Sequence, residues 1–350
     1  MRKPVVLITG ASGEIGHGLI DRLAEDGARP IVTLDLAPLA PDMARKVQRE
    51  TRGSILDRSA LERILAEFEV DLVFHLAALL STRAEFSPVA AHEVNVEGTL
   101  NLLEFAQHEA ESHGRPVTFL YPSSIAAYGL PSLEAKRRAG RVREADWAQP
   151  VTMYGCNKLY CEQLGNYYAH HYKQLAADSQ VGRVDFRAVR FPGLISAMTM
   201  PSGGTSDYAP EMIHAAAQGE PYACFVRPDT RIPFMAMPDG VEALLALAAA
   251  PRAQITRSAY NLGAFAPTAD EVRQEVLRAF PQADVTYRVD QKRQGIVDSW
   301  PEDVDDSAAR SDWGFAPKHD FTSAFRDYLI PTIRDRYSGR FRSHNAEADG

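Results

Sequence analysis

Met153-Tyr154-Gly155-Cys156-Asn157-Lys158 sets a phenol and an ammonium four residues apart, so that on a helix both project from one face. Such a pair can move a proton. A free phenol titrates at about pH 10, too high for a base at neutral pH, but neighbouring positive charge favours phenolate. Tyr154 can then take a proton from a hydroxyl, with Lys158 tuning it. Taken alone, the pair is equally a packed tyrosine beside a lysine that reaches for solvent. Upstream, Tyr121-Pro122-Ser123-Ser124 closes an apolar run. A hydroxyl at the carboxyl edge of a parallel sheet, where open α/β proteins hold ligands, can position a reacting oxygen. Serines capping a turn are the competing explanation.

A second constellation lies at the amino terminus, where Gly10-Ala11-Ser12-Gly13-Glu14-Ile15-Gly16 follows the run PVVLIT. Three glycines spaced by three permit a tight turn, close approach of backbone to a pyrophosphate and close packing of the following helix. The helix N-terminus then offers unpaired N–H groups to phosphate. A structural strand-to-helix turn would look similar, but Asp35 closes the next apolar run, 19 residues beyond Gly16. A carboxylate there accepts both ribose hydroxyls and repels a 2′-phosphate, so NAD is expected over NADP. No GK[ST] follows the glycines, which excludes a P-loop.

These residues need a scaffold, and the chain supplies a strand-helix alternation. Short apolar runs (PVVLITG, PIVTLD, DLVFHLAA, VTFLYPSS, VDFRAVRFPG) alternate with amphipathic stretches at about 14–26, 59–68, 95–112 and 153–175. Continuous apolar runs, rather than strict alternation, mark strands buried on both faces of a parallel sheet. The expected fold is α/β: a doubly wound parallel sheet of Rossmann type with a smaller C-terminal α/β substrate-binding domain. Residues 1–192 form the NAD-binding domain in this reading, with about 230–262 returning to it. Residues 193–229 and 263–337 form the substrate domain, and 338–350 a flexible tail. Two stretches, 132–150 and 176–183, read as surface insertions, the first with a solvated charged face.

The order of glycine triplet, strand-end serine and Tyr-x-x-x-Lys resembles the extended short-chain dehydrogenase/reductases, the NAD-dependent epimerase/dehydratase family. The resemblance spans residues 1 to about 336. It implies that Gly10, Ser12, Gly13, Glu14, Ile15 and Gly16 cradle the dinucleotide, with Asp35 and Leu36 at the ribose. It further implies that Asp57 contacts adenine and that Leu76, Ala77, Ala78, Asn95, Lys158, Tyr154 and Pro192 complete the cofactor site. Ser124 stands where the family has its catalytic serine, four residues before Tyr128-Gly129.

Several later segments, RFPGLIS at 190–196, the run around Gly204-Thr205-Ser206, and RQGIVDSWPEDVDD around Trp300, are similar to the L-threonine 3-dehydrogenase branch of that family. That branch implies oxidation of the β-hydroxyl of L-threonine to 2-amino-3-oxobutyrate. Ser81, Gly204, Thr205, Ser206 and Trp300 would contact the amino acid, with Tyr154 and Ser124 at its hydroxyl. Nucleotide-sugar epimerases and dehydratases usually carry an asparagine where this chain has Phe191-Pro192-Gly193. Ser206 replaces the usual second threonine of the branch, so a related small hydroxy acid is an alternative substrate, as is a nucleotide sugar. In the latter case Arg227 and Arg231 could serve a phosphate. Ion pairing is their other reading. A redox-sensing binding protein is a third class, but such proteins commonly lack the Tyr/Lys pair.

Composition narrows the partners. With 38 basic and 46 acidic residues the net charge is −8, which argues against a broad surface for nucleic acid or anionic lipid. A small-molecule substrate is expected. No apolar run reaches the roughly 18 residues of a membrane span. Three cysteines, an odd number without zinc-like spacing, suit reduced cytoplasmic thiols, and no metal is expected. Cys156 reads as a small buried hydrophobe. By analogy with the family, a homodimer pairing the helices after Asn95 and after Tyr154 is expected.

Overall fold

The computed structural model describes residues 4–201 and 204–338, so the expected tail lies, from 339 on, outside the described residues. In chain order the strands are β1 (Pro4–Thr9), β2 (Ile31–Asp35), β3 (Arg49–Arg52), β4 (Glu69–His75), β5 (Val117–Ser124), β6 (Arg141–Val142) and β7 (Val184–Phe191). They continue with β8 (Gly193–Ile195), β9 (Tyr222–Cys224), β10 (Phe234–Ala236), β11 (Ala259–Asn261), β12 (Val285–Tyr287) and β13 (Asp303–Val304). Seven form one sheet in the order β11-β7-β5-β4-β1-β2-β3, and every pairing within it is parallel. The expected Rossmann sheet is present.

Its strands are apolar on both faces for a visible reason. Val5 and Leu7 of β1 pack with Leu102 and Phe105 on one side, while Val6 and Ile8 pack with Leu19 and Leu244 on the other. Helices Glu14–Asp26 and Met237–Ala249 cover the second face; Gly98–His113 and Met153–His170 cover the first. Between β1 and β4 the order of strands reverses, which leaves a crevice beyond their carboxyl ends.

Past Phe191 the chain builds small two-stranded pairs, β8 with β10, β9 with β12 and β6 with β13, around a separate apolar cluster that includes Tyr208, Met212, Phe225, Phe234, Trp300 and Phe325. Then β11 pairs with β7.

Several local expectations need correction. Residues 132–150 are no surface insertion: Ala135 and Lys136 on helix Leu133–Ala139 are buried, and β6 pairs with β13. The Lys136 ammonium donates to the Val297 carbonyl at 3.0 Å, so a charged residue was recruited inward to close a helix end. The catalytic-motif helix stops at His170 rather than 175. Lys173 adopts positive φ, and buried Tyr172 folds back onto Tyr168 with ring centroids 5.0 Å apart. Burial of that ring outweighs continuing an exposed helix. Strand β3, polar throughout, was not expected; at a half-exposed edge it needs no apolar run.

Candidate active site

The glycine loop is shaped by contacts no other residue permits. Gly10 has φ of +67°, and a Cβ there would lie 2.6 Å from the Ala77 nitrogen at the end of β4. A Cβ on Gly16 would lie 2.3 Å from the Ala11 carbonyl oxygen, so the helix sits directly on its strand. Gly13 begins that helix without a side-chain cap, which leaves its N-terminus open to an anion. The Asp35 carboxylate accepts from the Ser12 and Ala37 backbone N–H groups, each at 2.9 Å, and is fixed at the end of β2. Beside it, Leu36 is 73% exposed and lines the cleft, an apolar platform without a protein partner.

The far wall comes from the end of β4. His75 is fully buried; its Nδ1 lies 2.8 Å from the Thr9 hydroxyl and its Nε2 2.9 Å from that of Thr99. Thr99 donates its own proton to the Asn95 carbonyl, so Nε2 carries the imidazole hydrogen. Burial, with the nearby Lys158 charge, pushes this histidine down to about 3, and it stays neutral. Asn95 lies in a π-turn (Glu93–Glu97) and clamps Leu79, accepting from its N–H at 2.8 Å and donating to its carbonyl at 3.0 Å. It therefore shapes Leu76, Ala77 and Ala78, which line the cleft, rather than lining it itself. Asp57 caps helix Arg58–Glu67 by accepting from the Ser59 N–H and hydroxyl, a bond that holds its carboxyl below the usual range. Gly53, Ser54 and Ile55 line the cleft in its place.

Tyr154, Lys158 and Ser124 meet on that cleft, which encloses about 550 Å³. The Lys158 ammonium donates to the Pro122 carbonyl at 2.6 Å and stands 4.6 Å from the Tyr121 ring centroid and 5.4 Å from that of Tyr154. Burial pushes Lys158 down to about 8 and pushes the Tyr154 phenol above its ordinary value. The expected depression of Tyr154 by Lys158 is therefore outweighed by desolvation in the protein alone. Helix Met153–His170 is brought this close by Gly155, where a Cβ would lie 2.0 Å from the Ala126 carbonyl oxygen.

The substrate side is built from three distant segments. Ser81 opens helix Ser81–Phe86, and its hydroxyl accepts from the Thr205 N–H at 3.4 Å and hydroxyl at 3.2 Å. Ser81, Gly204, Ser206, Pro192 and Trp300 line the cleft, whereas Thr205 is buried behind it. The Trp300 indole N–H has no partner among the described residues, although the ring is 4% exposed. Trp300 is held from below by Leu130 N–H on the Ser299 carbonyl and by Lys136. Cys156 is exposed, not buried as expected, because it faces away from Tyr154 on the helix.

Comparison with known proteins adds the lineage. The sequence model of the NAD dependent epimerase/dehydratase family matches residues 6–263. The chain belongs to that family. The mitochondrial L-threonine 3-dehydrogenase of Bos taurus is 36% identical to it over 316 residues, which cover 90% of this chain and 79% of that protein. Among solved structures, a GalE-like L-threonine dehydrogenase from Cupriavidus necator in its holo form aligns with TM-score 0.82 and 34% identity, over 94% of this chain and 99% of that one. A monomeric L-threonine 3-dehydrogenase from a metagenome aligns with TM-score 0.82 and 33% identity, over 95% and 100% of the two chains. This epimerase/dehydratase family member is an NAD-dependent dehydrogenase.

Among the cleft residues of this family member that sequence reasoning missed are the polar Ser196, Thr199 and Asp207. Asp207 accepts from the Gly204 N–H at 2.6 Å. Burial raises the Glu14 carboxyl, with the Ser196 and Thr199 hydroxyls opposing the rise and Asp207 adding to it. These residues lie more than 180 positions from Glu14, and only the fold joins them. Arg227 and Arg231 do not line the cleft. Arg227 pairs with Asp298 through both Nη atoms, and Arg231 with Glu271.

Proposed function

We propose that the enzyme oxidises the β-hydroxyl of L-threonine to 2-amino-3-oxobutyrate with NAD. One observation carries the choice of substrate. Among the described residues lining the cleft, Lys158 is the sole cation, while Asp207 accompanies Gly204 and Ser206, and Glu14, expected at the dinucleotide, lies near Asp207. An amino acid brings an ammonium that suits those carboxylates. Its own carboxylate suits the hydroxyls of Ser81 and Ser206, beside the Trp300 ring. A nucleotide sugar would add a second diphosphate, with no arginine to receive it.

The residues present fit a dinucleotide: the glycine cradle, the uncapped helix, Asp35 for the ribose and Leu36 for adenine all line one cleft. When bound, NAD supplies a hydride acceptor and a positively charged ring. In this reading Lys158 holds the nicotinamide ribose and favours the Tyr154 phenolate, now with that ring's charge helping to overcome desolvation. Ser124 donates to the substrate oxygen, and Tyr154 takes the hydroxyl proton as the carbon loses hydride. Residues 1–192 with 230–262 form the cofactor half, and 193–229 with 263–337 the substrate half. Free thiols at Cys156, Cys161 and Cys224 suit a reducing compartment, for which we propose the cytoplasm.

The test is NADH absorbance with purified protein, NAD and L-threonine, with UDP-glucose and 3-hydroxybutyrate as comparisons. Steady NADH formation with L-threonine is expected, at least ~10-fold slower with NADP because Asp35 repels the 2′-phosphate. No NADH from L-threonine would overturn the substrate, and parity of the two cofactors would overturn the role of Asp35.

We also propose a homodimer. Tyr160 and Tyr167 are exposed on helix Met153–His170, and Phe86 and Val89 on the adjoining helices Ser81–Phe86 and Pro88–His92 are 84% and 72% exposed. Large exposed apolar side chains on three adjoining helices suit a twofold contact. Light scattering is expected to give twice the chain mass, and the mass of a single chain would refute the assembly.

A further inference from the structure

Tyr154 and Lys158 are continued on the same helical face by Glu162, four residues further on, which the proposed chemistry does not use. Glu162 is 2% exposed, yet it is fully occupied. Its Oε1 accepts from the Ser123 hydroxyl at 2.5 Å and from Arg190 Nε at 2.9 Å; its Oε2 accepts from Arg190 Nη2 at 2.6 Å. Arg190, at the end of β7, also donates to the Glu144 carbonyl at 2.8 Å and lies 4.8 Å from the Tyr128 ring centroid. Tyr128 in turn donates to Asn261 on β11 at 2.6 Å.

A buried ion pair alone is weak evidence for anything beyond packing, because desolvation cancels much of its attraction. The geometry here is more specific. Consecutive residues at the end of β5 are each tied to the catalytic helix: Pro122 through its carbonyl to Lys158, and Ser123 through its hydroxyl to Glu162. The next residue is Ser124. The groups acting on Lys158 are few. Glu162, Cys161 and Tyr154 share its helix, Tyr121 faces it from β5, and its charge reaches His75 on β4. Of these, Glu162 alone is paired with a permanent cation, the Arg190 guanidinium.

We propose that Glu162 is a positioning residue for the reaction: through Ser123 it fixes the strand end that carries Ser124, and its buried carboxylate, one helical turn beyond Lys158, sets the surroundings of that ammonium. The inference rests on the proposed roles of Ser124 and Lys158 and does not depend on which hydroxy compound is oxidised.

Two variants of the full-length enzyme separate the two roles, read by calorimetric NAD affinity against pH and by steady-state kinetics. In the unsubstituted enzyme, NAD affinity weakens as Lys158 loses its proton through about pH 8. With Glu162→Gln that transition moves to lower pH by ~0.5 unit or more, because removing a nearby negative charge disfavours the ammonium. Its kcat at pH 7 falls at least ~10-fold while KM stays within about threefold. Ser123→Ala keeps the ion pair and remains testable should the glutamine variant fail to fold. It lowers kcat about threefold or more and leaves the NAD transition in place. A Glu162→Gln enzyme with an unmoved NAD transition, or a Ser123→Ala enzyme with unchanged kcat, would overturn the proposal. The NAD titration needs no substrate, so silence with L-threonine would defeat the substrate reading while leaving Glu162 to be decided by calorimetry.

Discussion

Tyr154→Phe is expected to lower kcat by roughly a thousandfold or more, toward the upper range for loss of a positioned acid-base group, while NAD binds within about threefold of its original affinity. The two halves of that expectation come from different walls of the cleft. In the proposed mechanism the Tyr154 phenol takes the hydroxyl proton, whereas the dinucleotide would rest on Gly10, Gly16 and Asp35, none of which touches residue 154's ring in the described contacts. Folding should be unharmed, because the lost hydroxyl is a buried polar group whose ionised form burial already disfavours. Rapid-quench measurement of a single turnover, alongside calorimetric NAD titration, checks both. Turnover within tenfold of the original would remove Tyr154 from the role of base.

Gly155→Ala is the second large effect, and it acts through geometry. One added methyl would sit 2.0 Å from the Ala126 carbonyl oxygen and 2.9 Å from Pro150 Cβ, so backbone must move. Ala126 belongs to the 3₁₀ turn directly after Ser124, and Gly155 directly follows Tyr154. The displacement therefore separates Tyr154 from Ser124, the proposed proton acceptor and hydroxyl donor. Overpacking of this kind costs about 1–3 kcal/mol, and a shift of about 1 Å in a reacting group costs on the order of 100-fold in rate. Thermal unfolding and kcat should fall together. Cys156→Ala, one residue further on an exposed face, is the control and should change stability by less than about 0.5 kcal/mol. Equal behaviour of the two variants would mean that the close approach at Gly155 is unimportant.

What the sequence made legible was local chemistry with a fixed spacing. The glycine triplet, Asp35 at a strand end, Ser124 and the Tyr154/Lys158 pair all announce themselves because backbone approach and helical periodicity demand those residues at those intervals. Strands β1, β2, β4, β5 and β7 were equally visible as apolar runs. Edge strand β3 was not, since Arg49-Glu50-Thr51-Arg52 has no core to face. Helix Gln291–Asp298 was missed despite a readable sign: Asp290 caps it by accepting from the Lys292 and Arg293 N–H groups. Helix Leu133–Ala139 carries a similar sign in Ser132, which accepts from the Ala135 N–H. There the five cations of 132–150 drew the reading toward solvent, although one of them, Lys136, is buried. Glu162 had no sequence signal at all, and Ser196 and Asp207 stood in or beside segments of family likeness without a role, because their meaning depends on partners brought in by the fold. Asn95 and Thr205 were found, but as supports behind the cleft wall.

The pairing of β11 with β7 has a consequence for how the protein is made. Along the ribosome, β7 is complete at Phe191, but the strand that covers its outer edge ends only at Asn261, 70 residues later. At ordinary elongation rates of about 5–20 residues per second, that edge waits for roughly 4–14 s. During the wait the Ala188–Arg190 stretch of β7, buried in the finished protein and paired there with β11, presents unpaired backbone groups to its surroundings. The cell must shelter the nascent chain through that interval, and expression yield should depend more on chaperone supply and translation speed across residues 192–261 than on the stability of the finished enzyme.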